Sequence, residues 1–316
     1  MSAQGDPGSG ERSAGSLPDD GAPCGPQDGC GRCASGHGGT PIDASAPEVA
    51  ATLPVLESSL ATTWTEGVAI AQAGAYSSVT RTGTAFAVPP GRIALRLDPS
   101  TVVGAVLDEH RGGDPVLELV TGSGRPVHRL RSQTPVDHLV LRSLAREHPG
   151  PAAALAGALL DDWTPSPGSA EWPGDDQLSR LDDALAGVGR SPVEHRHIDL
   201  RLLPEVLGHL CSTGLPFGAA VLGDGVAQAC AGALQAVSAD DGRLGVVFQD
   251  ASLDLDATAL GGCVLVRTAG VHGPTSALEL VDRRGRRVAM LTQFGLVGAA
   301  THRAWEDLAE ALPSLG

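Results

Sequence analysis

The chain has 316 residues, 42% hydrophobic and 19% charged, with a formal net charge of −15 and no lysine at all. That balance argues against a nucleic-acid binder, because phosphate recognition rests on clustered cations that release counterions, and 3% aromatic content offers no base-stacking surface. No apolar run approaches the roughly 18–20 residues needed to cross a bilayer, and the N-terminus lacks a secretory signal, so the expectation is a cytoplasmic protein without membrane insertion.

Residues 1–46 are rich in Gly, Ser, Pro and Asp without apolar periodicity, which predicts a disordered tail. Within it "CGPQDGCGRCASGH" spaces Cys30 and Cys33 as C-x-x-C, with Cys24 upstream and His37 four residues on. These are donor types for a zinc or iron site, although a Gly-rich segment without flanking structure equally leaves them free. From Ala46 the texture changes. "PEVAATLPVLESSL" predicts a helix, and "GVAIAQ", "SSVTRT", "TAFAVPP" and "RIALRLD" predict short strands between Gly and Pro breaks. "LELVTGSGRPVHRL" is a hairpin, and "PVDHLVLRSLAREH" has helical spacing. Residues 149–192 predict two helices around a Pro/Gly/Trp loop.

The second half repeats this order. "LPEVLGHLCSTG" is a helix; "FGAAVLG", "VAQACAG", "ALQAVS" and "LGVVFQD" are strands; "SLDLDATAL" echoes "ALRLDPSTV". "GGCVLVRTAG" is a strand, "LELVDRRGRRVAML" writes the hairpin again, and "THRAWEDLAEAL" closes with a helix. The expectation is an α+β tandem duplication: a repeat at 47–148, a helical linker at 149–192 and a repeat at 193–316, each with a large antiparallel sheet and flanking helices. Cys211, Cys230 and Cys263 sit among small apolar residues and read as buried free thiols. "GDGVAQACAG" opens no helix, so it reads as a hairpin turn, not a phosphate loop.

The stretch "VRTAGVHGPTSALELVDRRG", together with "ALRLD", both hairpins and Trp305, resembles the HemS/ChuS hemin-degrading and hemin-transport family over residues 47–312. The resemblance implies two similar α+β repeats with heme held between them, intracellular heme handling for iron acquisition, and oxidative ring cleavage in some members. It implies as partners heme, a heme ABC importer and, for degradation, a reductase. The family's axial histidine has no counterpart on "DDQLSRLDDALAGVG", its tyrosine falls on Thr292, a following arginine on Gly295, and a lysine on Thr268. Arg96 and Arg267 are retained.

Heme requires an axial donor, cations for its propionates and apolar walls. "VEHRHIDL", if extended, puts His195 and His197 on one face, which makes them the candidate ligands; an exposed polar strand end is the other reading. Arg96 and Arg267 are candidate carboxylate partners, with a cross-strand acid the alternative for Arg96. His128 and His209 read as structural or surface residues. The two functions carried forward are heme binding with or without degradation, and a non-catalytic ligand-binding or regulatory protein with a degenerate heme site.

Overall fold

The computed structural model describes residues 39–77, 79–81, 88, 91–98, 101–109, 113–150, 194–270, 273–293 and 298–315. The first half contains β1 (Thr40–Ile42), α1 (Ala46–Thr52), β2 (Ser59–Thr65), β3 (Val68–Tyr76), β4 (Thr80–Arg81), β5 (Arg92–Leu97), β6 (Val102–Asp108), β7 (Val116–Thr121), β8 (Pro126–Ser132) and α2 (Pro135–Glu147). The second contains β9 (Glu194–Ile198), α3 (Leu203–Thr213), β10 (Phe217–Gly223), β11 (Val226–Gly232), β12 (Ala236–Asp240), β13 (Arg243–Val247), β14 (Ala251–Asp256), β15 (Leu260–Gly270), β16 (Gly273–Asp282), β17 (Arg287–Thr292) and α4 (Ala299–Ala311). Among the described residues no helix is long and apolar enough to cross a membrane.

Strand pairing resolves these elements into two antiparallel arrays. The first runs β1-β6-β7-β8-β2-β3-β14-β13-β12. The second runs β9-β15-β16-β17-β10-β11-β5, with β4 added in parallel to β5. A short parallel contact, Ala75 with Arg92 and Tyr76 with Ile93, ties the arrays into one mixed sheet system. Each array therefore takes strands from the other half: β14, β13 and β12 extend the first through the pairing of β14 with β3, and β5 with β4 extends the second through the pairing of β5 with β11.

The arrays repeat one another in irregularities as well as in order. The β7–β8 register shifts at Leu119/Val120 and the β16–β17 register at Leu280/Val281; the β6–β7 register shifts at Val102/Gly104 and the β15–β16 register at Leu260/Gly262. The two hairpin turns are closed alike. Gly124 N–H donates to Thr121 O and Thr121 N–H to Arg125 O; Gly285 N–H donates to Asp282 O and Asp282 N–H to Arg286 O. Gly124 and Gly285 both have positive φ (76° and 77°), a conformation in which a Cβ is costly. The repeated "TGSG" and "DRRG" are thus the same backbone turn.

One face of each array packs on helices. In the first core Leu53, Leu117, Leu119 and Leu130 meet Leu141 and Leu144 of α2, and the borrowed β5 adds Ile93, Leu95 and Leu97. In the second, Leu207 and Leu210 of α3 and Trp305 of α4 meet Phe217, Leu265, Leu278 and Leu291, and β14 adds Leu253 and Leu255. Buried carboxylates dock both C-terminal helices onto backbone. Asp137 of α2 accepts from the N–H groups of Glu57 (2.8 Å) and Ser58 (3.1 Å). Glu306 of α4 accepts from Ser276 N–H (2.8 Å) and its hydroxyl (2.7 Å), while the Trp305 indole donates to Ser276 O (2.8 Å). Such charge-assisted bonds offset the cost of burying a carboxylate.

Several expectations need correction. The segment preceding Ala46 is not wholly tail, because Thr40–Ile42 pair with Ala105–Leu107 of β6. The first helix stops at Thr52, passes through a 3-10 turn at Leu53–Val55 and gives way to β2 at Ser59. Pro54 disfavours helix at the residue before it and removes an N–H. The predicted linker helices, most of "TAFAVPP", and Cys30, Cys33 and His37 lie outside the described residues.

Candidate functional site

In register, the face of the second array turned away from its helices carries two cross-sections of interest. One runs from His197 through Val264, Glu279, Met290, Ala220 and Ala229 to Ala94; beside it lie His195, Val266 and Ala277, and further along the same face Ala227 is opposite Arg96. Side chains at paired positions share a face. The extended reading of "VEHRHIDL" therefore holds: His195 pairs with Val266 and His197 with Val264, and both imidazoles project from this face, exposed. Its middle is a floor of small or flexible side chains, with Ala94, Ala220 and Ala229 at 0% exposure and Met290 at 1%, already packed with Val88 and Leu222 in a buried cluster.

Arg96 stands on this floor at 1% exposure. Its guanidinium offers five N–H donors in a fixed fork, so it can hold a carboxylate while keeping other contacts. The histidines and Arg96 sit on strands six steps apart, roughly 29 Å across a flat sheet at about 4.8 Å per step. One flat ligand meets both ends only where the sheet curls around it, as twisted sheets do.

Arg267 is placed elsewhere. It pairs with Ser276 and Glu194 on the helix-covered face, two residues from buried Leu265, and lies 3.5 Å from Glu306 and 3.8 Å from Glu310 of α4 and 4.0 Å from Glu194. The position equivalent to Arg96 in the first array is Asp254, which pairs with Ala69 as Arg96 pairs with Ala227. Thr292 is buried and its hydroxyl donates to Ser276 O (2.8 Å). No group of three or more His, Cys, Asp or Glu able to hold a metal occurs among the described residues.

A polar chain that sequence reasoning missed crosses the two halves inside the protein. Tyr76 and His128 Nε2 are 2.9 Å apart, His128 Nδ1 and Thr63 Oγ1 2.7 Å, and the Thr63 hydroxyl donates to Gln228 Oε1 at 2.8 Å. Because Thr63 spends its proton on Gln228, Nδ1–H donates to Thr63 and Nε2 accepts from Tyr76, which fixes a neutral imidazole. All four residues are at 0% exposure. Burial lowers the His128 pKa to about 3 and raises that of Tyr76. The signal was available: His128 is two residues from Leu130 and pairs with Leu119, an inward position.

No protein-family model matches this chain, and neither does any curated protein. Solved structures do. Apo-PhuS, a heme-binding protein from Pseudomonas aeruginosa, aligns over 90% of both chains at TM-score 0.69 and 19% identity. Its holo form aligns over 90% of both at 0.67 and 21%. ChuS, an E. coli heme oxygenase, aligns over 87% of this chain and 89% of its own at 0.66 and 14%. The chain therefore has the α+β fold shared by PhuS and ChuS, along nearly its whole length.

Proposed function

We propose that the protein binds heme on the outward face of its second array and serves in intracellular heme handling for iron acquisition. His195 or His197 supplies the axial nitrogen; the ring meets the Ala and Met floor, and a propionate meets Arg96, where the cover that packs that floor together with Val88 gives way. The observation that carries this reading is the combination of a fold matched along 90% of heme-binding PhuS with two imidazoles and a buried arginine on one face of one sheet. An imidazole is a common axial donor and a guanidinium a good bidentate carboxylate partner.

Carriage is favoured over ring opening. The position where the resemblance puts a tyrosine is Thr292, whose hydroxyl is engaged by Ser276 O. Degradation would also need a separate reductant.

Titration of the purified protein with hemin tests the proposal. A saturable Soret band at one-to-one stoichiometry is expected. His195→Ala or His197→Ala should move the Soret maximum, whereas Arg96→Ala should weaken binding with the maximum unmoved. An unaltered spectrum in both histidine variants would remove the ligand assignment. Soret loss with a new product absorbance on adding ascorbate or a reductase would replace carriage with turnover.

A further inference from the structure

On the reading that His195 or His197 ligates heme iron, we propose that Arg196 and the C-terminal segment Ser314–Leu315 are positioning elements for that ligand, holding the strand from its reverse side and its outer edge.

β9 is five residues long and lies at the margin of the second array, with β15 as its strand partner. A short edge strand would ordinarily be a loose mount for a metal ligand. Here it is fastened three times over. Arg196 lies between the histidines in sequence and so projects from the opposite face, where it reaches the end of α4. Its Nη1 donates to Leu312 O at 2.6 Å, and its Nη2 donates to Ala309 O at 2.6 Å and Glu310 O at 3.2 Å. These carbonyls lie at the helix end, where acceptors run short of intrahelical donors, although Ala309 O also takes the Leu312 N–H at 3.4 Å, and a cation there is also favoured by the helix dipole.

The outer edge of β9 is closed by the chain beyond α4: Leu315 N–H donates to His197 O at 2.8 Å, and Ile198 bridges Ser314. Third, Glu194 lies 3.2 Å from Arg196 and 4.0 Å from Arg267, which in turn faces Glu306 and Glu310. α4 is itself fixed to β16 through Trp305 and Glu306 on Ser276, the neighbour of Ala277 on the ligand face. One helix thus holds the floor strand β16 and the histidine strand β9 in a single frame. A ligand residue held this way presents its imidazole with little freedom, and groups that orient ligands from behind typically change metal affinity about 10–100-fold when removed.

The test compares Arg196→Gln, Arg196→Lys and a chain ending at Pro313 with the wild type, His195→Ala and His197→Ala, all titrated with ferric hemin and read by Soret maximum, electron paramagnetic resonance and thermal midpoint. Arg196→Gln and the truncation should each raise the hemin Kd about tenfold and move the spectrum in the direction of the histidine variant that moves it. Arg196→Lys should recover part of both. A lowered thermal midpoint with Kd and spectrum unchanged would reduce Arg196 to a structural residue and overturn the inference, while a histidine variant that still shifts the Soret band leaves the heme proposal standing. If neither histidine variant shifts it, the ligand reading fails and this inference falls with it. Should Arg196→Gln not fold, the truncation tests the same mounting of β9 by the same three readouts.

Discussion

The two arrays repeat in order, bulges and turns, yet their outward faces have opposite character. Where the second array has Arg96, Met290, Thr292 and Leu222, all at 5% exposure or less, the equivalent registered positions of the first are Asp254, Arg129, Arg131 and Trp64, of which Asp254, Arg129 and Arg131 are exposed and Trp64 is partly so. Arg129 instead bonds Glu118 (2.6 Å) and lies over the Trp64 ring at 5.5 Å. The inner faces differ in the reverse sense: His128 and Thr63 of the first core fall where the second has Ala289 and Val221. Both copies keep an apolar helix-covered face; the first adds a buried polar group to it, and the copies part company on the opposite face, polar in the first and mostly apolar in the second. Both arrays carry small residues on this face, Thr62, Ala69, Ala71 and Ser252 in the first and Ala220, Ala227, Ala229 and Ala94 in the second, but only the second flanks them with two histidines and a buried arginine, and for that reason we place the ligand there.

Reciprocal exchange of the face-marking residues should break this asymmetry most strongly. Arg96→Asp puts an acid where a buried guanidinium stood and should cost at least about 3 kcal/mol by urea unfolding, with hemin binding lost. Asp254→Arg, at an exposed position, should stay within about 0.5 kcal/mol. Equal costs would show that the faces are not differentiated as described.

Acid should separate the inner faces. His128 is held neutral with its pKa lowered to about 3, whereas in the unfolded chain it protonates near the ordinary histidine value of 6.5. Its contribution is therefore fully present above about pH 6.5 and is lost as pH falls toward 3. Hydrogen exchange should accelerate in β2, β3 and β8 before β10 and β17 across that window, and His128→Ala should flatten the pH dependence. A modest effect is expected from Trp64→Ala on the first outward face, roughly 0.5–1 kcal/mol from the lost cation–π contact, with the hemin Kd unchanged.

The sequence carried the repeated hairpins plainly, because a turn that needs positive φ marks itself with glycine and the flanking alternation marks the strands. It carried the shared face of His195 and His197 for the same reason. β2 was concealed: Ser59 and Leu60 follow an apolar spacing that continues α1, and only Pro54 hinted at the break. The side of the sheet that Arg267 takes was legible too, since Leu265 and Cys263, two and four residues before it, share the helix-covered face. The partnership of Tyr76, His128, Thr63 and Gln228 joins strands distant in sequence, and no local pattern encodes such a meeting. Nor does any local pattern tell β5 and β14 to pair outside their own halves, because an exchanged strand needs the same alternation as a resident one.

That exchange has a cost in time as well as a structural effect. Gln72 of β3 waits for Ala251 of β14, which leaves the ribosome on the order of ten seconds or more later at ordinary elongation rates. Throughout that interval a nine-residue strand offers an open row of amide and carbonyl groups to any neighbouring polypeptide. Newly made copies crowded on one message are therefore one another's most available wrong partners, and the yield of native protein should depend on translation speed and on the chaperones that shield nascent chains.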